Sequence, residues 1–384
     1  MELRELQVHV KDLAALERTS APVVSCYVDI EARRSRNRNP LDEWVRLLER
    51  GLSTDALRAL EETVGRIDAF LAADLLPQTR GVAVFARAGD HPLFLPLQFR
   101  VPLPSYISVD SAPHIYPLVE LKDTYHRYVL MFSTEKRVRI LAIHLGSIVK
   151  DVSSAFPELR QHAGRESTRD HRRDHRQARI DQFIKQQIRN LDRVLKAGGY
   201  QHLILAGPPR LTSRINHALP ADLAAKLIDI VPASDYDRTK DVVQATLDSF
   251  VEREEQESLA KVDRLLQETN RDGIAVSGTR SSLAALQNGQ VDVLVLAKGF
   301  QPEPGWGCDA CKLIEVGLPV PVACPNCGAK HVRKHDLRED LVRLAERTGS
   351  EVEIVEHSDA LMRLGGVGCL LRFLRPESYR TKVA

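Results

Sequence analysis

Four cysteines carry the clearest chemistry in the chain: Cys308, Cys311, Cys324 and Cys327 form the pattern C-x2-C-x12-C-x2-C. A two-residue gap lets each pair turn tightly and offer both thiolates to one ion. The twelve residues between the pairs are enough for a short hairpin that brings them together. Four thiolates match a closed, tetrahedral structural zinc site with no position left open for catalysis. Such a site folds its own insertion rather than performing a reaction. Gly307, Pro325 and Gly328 stand beside the ligands as turn residues; His331 and His335 lie downstream and could replace a cysteine, but four thiolates already fill the shell. Iron and a redox pair are the alternatives for this spacing. The remaining cysteines, Cys26 and Cys369, sit in apolar runs and read as small core residues.

The second chemical feature is a guanidinium-rich stretch. Residues 160–180 read RQHAGRESTRDHRRDHRQARI, with seven arginines against three acids. If a helix begins near Ser167–Thr168, Arg169, Arg172, Arg176 and Arg179 fall at three-to-four spacing, with Arg165 upstream and Arg173 beside them. The opposite face is expected to be apolar through Ile180, Ile184, Ile188, Leu191 and Leu195. One edge would pack on the domain while the other meets phosphates, which guanidinium groups bind in bidentate fashion. An exposed helix laced by pairs such as Glu166 and Asp170 with Arg169 and Arg173 is the competing reading. His171 and His175 have the spacing of a metal pair, but Arg172 stands where a zincin needs Glu, so a solvated pair is expected.

A smaller basic patch, Arg33, Arg34, Arg36 and Arg38, is expected in a loop after the first strand, where phosphate contact and plain solvation weigh evenly. The turn Gly207-Pro208-Pro209 after LILAG has no Walker lysine and no GxGxxG, so it is a strand end and not a nucleotide site.

These groups need elements to hold them. At 384 residues the chain is long enough for two or three domains. Its net charge of +2 hides a division: Lys+Arg exceed Asp+Glu by 7 over residues 125–250, and fall short by 3 before and by 2 after. A basic middle between mildly acidic flanks points to a polyanionic partner for that middle. No apolar run approaches membrane-spanning length, and MELRELQVHVKDL lacks a signal-peptide core, so a cytoplasmic protein without membrane contact is expected.

Along the chain, Val23–Ile30 reads as a buried strand. Residues 41–76 read as helix, with Trp44, Leu47, Leu48, Leu52, Ile67, Phe70 and Leu71 on one face. Prolines at 92, 96, 102, 104, 113 and 117 punctuate short strands between Gly81 and Leu118. Strands at Tyr128–Phe132, Val138–Leu145 and Ser147–Val152 precede a long helix from about Arg169 to Lys196. HLILAG, Leu211–His217 and Leu227–Val231 then alternate strand, helix, strand, and residues 239–269 form a helical connector. The last stretch alternates again, with the cysteine segment inserted after VDVLVLA. The expected architecture is multidomain α/β: three α/β domains at 1–124, 125–250 and 251–384, with a zinc ribbon at 305–330.

The order of these segments resembles the archaeal and eukaryotic class-one release factors, including the Pelota-like rescue factors. The resemblance is carried by LAIHLGSIVKDV, by HAGRESTRDHRRDHRQARIDQFIKQQIRNL and by LILAGPPRL in the middle. Toward the end it is carried by GIAVSGTRSSLAALQNGQVDVLVLAKG, the CxxC pairs and EVEIVEHSDALMRLGGVGCLLRF. It implies that the last domain has the fold of the kink-turn-binding ribosomal proteins, with the zinc ribbon as an insertion. It implies a body shaped for the ribosomal A site, with rRNA of that site and of the peptidyl-transferase centre as partner. The last domain would dock on a translational GTPase, elongation factor Tu in a bacterium.

One departure sets the expected activity. Release-active members carry Gly-Gly-Gln at the tip of the middle domain, whereas this chain has Ala163-Gly164-Arg165-Glu166-Ser167 there. The stop-codon motif Asn-Ile-Lys-Ser is also missing from the first domain. The expectation is a non-enzymatic, ribosome-binding factor of the hibernation type, as in bacterial members without Gly-Gly-Gln. The alternative is a rescue factor that promotes peptidyl-tRNA hydrolysis through another residue near Glu166 or Gln161. A stand-alone RNA-binding protein is a third reading.

Overall fold

Valine-rich strands and leucine-spaced helices build the chain into two compact units, one of residues 125–254 and one that joins 3–124 with 255–384. The computed structural model describes residues 1–18, 21–35, 54–88, 91–125, 127–156 and 169–373, with the backbone alone at 33–35, 54–56, 59 and 169–176.

The first stretch of the joined unit runs α1 (Leu3–Ala15), β1 (Val23–Asp29), α2 (Ile30–Ser35), α3 (Thr54–Ala73), β2 (Gly81–Arg87), β3 (Leu93–Phe99), β4 (Tyr106–Asp110) and α4 (Tyr116–Thr124). Its sheet is antiparallel in the order β3-β2-β1-β4. β1, the near-continuous apolar run VVSCYVD, lies centrally and is buried on both faces. One face packs Val24, Cys26 and Val28 with Val82 and Val84 against Ile67, Phe70 and Leu71 of α3. The other buries Tyr27, whose hydroxyl donates to the His114 carbonyl at 2.5 Å. Pro96 sits in β3, an edge strand, where a missing N–H is tolerated. Arg33 and Arg34, expected in a loop, lie in helix α2. Arg36, Arg38, Trp44, Leu47, Leu48 and Leu52 lie outside the described residues.

The middle unit contains β5 (Arg127–Ser133), β6 (Arg137–His144), β7 (Ser147–Ala155), α5 (Arg169–Gly198), β8 (His202–Gly207), α6 (Pro209–Ala218), α7 (Ala221–Ala224) and β9 (Leu227–Pro232). Its sheet order is β7-β6-β5-β8-β9: the first three are antiparallel, then β5, β8 and β9 run parallel. The parallel pairs require crossovers, and α5 supplies the first. Val129, Met131, Ile140, Leu203 and Leu205 pack against Ile184, Ile188, Leu191 and Leu195 of α5. The other face stacks Tyr128 on Phe250, centroids 4.8 Å apart, from α8 (Thr239–Asn270), the helix that leads out of this unit.

The last stretch holds β10 (Ala275–Ser277), α9 (Thr279–Gln287), β11 (Val291–Ala297), then β12 (Gly305–Cys308), β13 (Ile314–Val316) and β14 (Val332–His335). It ends with α10 (Leu337–Thr348), β15 (Glu351–Val355), α11 (Asp359–Arg363) and β16 (Val367–Leu371). The main sheet, β10-β16-β11-β15, is mixed, and β13-β12-β14 form a separate three-stranded ribbon. Asp336 caps α10 by accepting from the Arg338 N–H at 3.0 Å. Gly349 ends the helix at φ 66°, a left-handed position that glycine takes without cost.

Helix α10 has two buried faces. Leu337, Leu341, Val342 and Ala345 face the core, as its amphipathic pattern requires. Glu339, Asp340, Arg343 and Glu346 are buried too, against the first stretch of the same unit. Glu339 accepts from the N–H groups of Ile115 and Tyr116 at 2.8 and 3.0 Å, satisfying orphan donors at the start of α4. Arg343 donates to the carbonyls of Leu13 and Ala14 at 3.1 and 3.0 Å, at the end of α1, and to that of Pro113. Lys122 pairs with Glu346, and Asp123 accepts from the Ile354 N–H at 2.8 Å.

Candidate metal centre and basic helix face

The ribbon brings the four expected thiols together. The sulfurs of Cys308, Cys311, Cys324 and Cys327 all lie within 4.8 Å of one another. Cys308 and Cys327 are 3.6 Å apart, as are Cys311 and Cys324. A tetrahedron of sulfurs about 2.3 Å from a central ion has edges of about 3.8 Å, so the cluster fits one ion with little adjustment.

The two CxxC turns are built alike. In the first, the Lys312 N–H donates to the Cys308 carbonyl at 2.9 Å, and the Cys308 N–H to Leu313 at 2.9 Å. In the second, the Gly328 N–H donates to the Cys324 carbonyl at 2.8 Å, and the Cys324 N–H to Ala329 at 2.8 Å. Both turns pass through a left-handed residue, Lys312 at φ 62° and Gly328 at φ 74°. Gly307 has a different task from the turn role expected of it. It lies within β12, and a Cβ there would overlap the imidazole of His335. His335 is no substitute ligand, since Asp340 and Arg18 occupy its two nitrogens at 2.7 Å each.

The thiols are not equivalent. Hydrogen bonds from the Asn326 side chain and the Leu313 backbone bring the Cys311 thiol down to about 6. Cys327, against an Ala329 backbone hydrogen bond that acts the other way, is pushed up to about 12 by burial and by the neighbouring sulfurs Cys311, Cys308 and Cys324. Four thiolates this close repel one another, so a cation is needed to hold them together. The four-cysteine cluster can therefore hold a metal ion. Cys26 and Cys369 are fully buried in β1 and β16 and take no part. Burial pushes the Cys369 thiol up to about 12 and keeps it protonated.

The arginine stretch lands on α5, a continuous helix about 45 Å long. Arg165 precedes the described part. Arg169, Arg172, Arg173 and Arg176, with His171 and His175, belong to the stretch described by its backbone alone, and Arg179 is exposed. At 3.6 residues per turn, positions 169, 172 and 176 stand about a quarter turn from Ile180, Ile184 and Ile188, beside the apolar stripe. The expected opposition of the two stripes is partial on the helix's own period: position 179, exposed, stands farthest from the isoleucines.

The face opposite the core carries cations that the arginine pattern did not point to. Lys185, Arg189, Arg193 and Lys196 are exposed at four-, four- and three-residue steps. Arg189 and Arg193 hydrogen-bond the neutral side chains of Gln186 and Asn190. Lys196 pairs with Asp192 at 2.8 Å. Lys185, Arg189 and Arg193 have no carboxylate partner among the described residues. Spacing alone is enough to find this stripe, but the denser arginine run upstream masks it.

Residues 113–251 match the model of a protein family described as bacterial archaeo-eukaryotic release factor family 10. The peptide chain release factor subunit 1 of Pyrococcus abyssi is 25% identical over 286 residues, covering 67% of this chain and 68% of that protein. The protein of the same name from Archaeoglobus fulgidus is 32% identical over 125 residues, covering 29% and 31%. A solved structure described as a model of ribosome-bound archaeal Pelota and ABCE1 aligns over 97% of this chain and 95% of that one, at 13% identity and a TM-score of 0.40. The middle segment is thus similar to a release-factor family, and two thirds of the chain is similar to archaeal peptide chain release factors. Among the described residues no helix is long and apolar enough to cross a membrane.

Proposed function

We propose that the protein is a cytoplasmic, ribosome-binding factor of the release-factor type that occupies the A site without hydrolysing peptidyl-tRNA, and so silences or protects idle ribosomes. The observation that carries this reading is chemical. The middle segment matches a release-factor family, yet Ala163-Gly164-Arg165-Glu166-Ser167 stands where active members have Gly-Gly-Gln. Without that glutamine no side chain is assigned to the ester, and the protein acts by binding. The relatives that match along two thirds of the chain are named as release factors, which favours the ribosome as partner.

The exposed cations of α5 suit rRNA phosphates. The last stretch is read as the fold of the kink-turn-binding ribosomal proteins, with the ribbon as an insertion that holds zinc. By the same resemblance it docks on a translational GTPase, elongation factor Tu in a bacterium. The purified protein should co-sediment with vacant ribosomes at low salt and release no peptide from stalled ribosome–nascent-chain complexes. Peptide release at a rate useful to a cell would replace this reading with the rescue-factor one. Failure to bind ribosomes would remove both.

A further inference from the structure

The metal site and the first stretch of the chain meet at one cluster of side chains. We propose that metal binding by the four-cysteine ribbon and docking of α1 are thermodynamically coupled through Arg18, His335 and Asp340. The proposal rests on the reading that the four thiols hold a zinc-like ion.

The contacts form a continuous path. Cys308 ends β12, which pairs with β14 so that Cys308 lies opposite Val332 and Gly305 opposite His335. The His335 ring covers Gly307, the residue before the first ligand, at the one kind of position that leaves room for it. From that seat, Nδ1 meets the Asp340 carboxylate at 2.7 Å and Nε2 meets the Arg18 guanidinium at 2.7 Å. Arg18 also donates to Asp340 at 2.5 Å, closing a triangle. A guanidinium only donates, so Nε2 accepts, and these partners assign the proton to Nδ1, which donates to Asp340. His335 and Asp340 are 5% and 2% exposed at their side chains, so water cannot easily replace any corner.

Arg18 follows α1, and three residues beyond Asp340 lies Arg343, the donor to the terminal carbonyls of α1. Arg18, Asp340 and Arg343 line the same 490 Å³ cleft as Cys308, Cys311 and Asn326. Both CxxC turns of the ribbon meet at the thiol cluster, so its strands depend on the ion for order. Loss of the ion frees β12 and β14, unseats His335 and leaves Arg18 and Asp340 without their third partner, which loosens α1. Linkage is reciprocal: whatever strengthens the docking of α1 must also tighten metal binding by the same factor.

The test uses the full chain, zinc-loaded or stripped with a chelator, and reads hydrogen exchange in α1 (residues 3–15), in β16 (367–371) and in β8 (202–207). Stripping should speed exchange in α1 by about tenfold, within the usual span of coupling between sites. The strands β16 and β8 should be unmoved. Arg18→Gln should speed α1 in the zinc-loaded protein and hasten extraction of zinc by the chelator, and His335→Gln should act in the same direction. Zinc removal that leaves α1 unchanged would overturn the coupling while keeping the metal site. So would Arg18→Gln and His335→Gln proteins that hold zinc and protect α1 as the parent does. Equal acceleration in β16 would mean general unfolding and would also overturn it. A protein that neither carries nor takes up zinc would fail at the earlier step, the metal reading itself.

Discussion

Arg343 is a charged side chain whose removal should cost much stability. It is 6% exposed, and its guanidinium serves three backbone carbonyls while standing 3.8 Å from Glu339. Burial works against its charge, which is why its pKa falls below the arginine norm; Glu339 works the other way. Arg343→Met would leave those carbonyls short of a donor and Glu339 less compensated, a loss of about 3–5 kcal/mol. Arg343→Lys should recover only part, because an ammonium lacks the planar fork that reaches two sites at once. A urea midpoint would report this, provided the slope stays that of the parent. A midpoint unchanged in Arg343→Met would mean that solvent already reaches the cluster. Residue chemistry was legible where it was local: the CxxC spacing located the thiols because ligand spacing is written along the chain. Arg343 and Glu339 were not legible. LREDLVRLAERT reads as an amphipathic helix with a solvated charged face, and only the tertiary structure reveals that the charged face is covered.

At the scale of elements, the periodicity of apolar residues placed β1, β5, β6, β8, β11 and the long helix α5 close to where they fold. The short proline-broken strands became β2, β3 and β4, and β3 took an edge because Pro96 cannot complete a central ladder. Rotational register on α5 was legible only in part: a stripe read as opposite to the core stands about a quarter turn from it. The downstream face, with Lys185, Arg189 and Arg193, is the better phosphate surface of the described helix. Steps of four residues advance about 6 Å along the axis, and the three side chains project away from Ile184, Ile188 and Leu191. If each meets one phosphate, replacing all three by Gln should lower the slope of log K against log salt by about 2–3. Thermal melting should be unchanged, since none of the three is buried. Filter binding of ribosomal RNA at several salt concentrations measures the slope. An unaltered slope would return this face to plain solvation.

For the molecule as a whole, the division into units yields an asymmetric prediction. The unit of residues 125–254 is one uninterrupted segment with a packed core on one face of its sheet and Phe250 stacked on Tyr128 on the other. Cut out as 125–254, so as to keep Phe250 against Tyr128, it should fold alone and melt cooperatively. Residues 1–124 also form a sheet with a helix, and nothing in their apolar pattern sets them apart. Their backbone accounting says otherwise. The N–H groups that open α4 find Glu339, the carbonyls that close α1 find Arg343, and Arg18, Lys122 and Asp123 find Asp340, Glu346 and the Ile354 N–H. Every one of these partners lies in the last stretch of the chain, on α10 or β15. Expressed alone, 1–124 should therefore be a compact state with fluctuating packing that binds a hydrophobic dye and lacks a sharp melt. Adding residues 255–384 in trans should restore the melt and suppress the dye signal. A sharp melt from 1–124 by itself would show that its own core suffices and that the buried charges of α10 decide only where it docks.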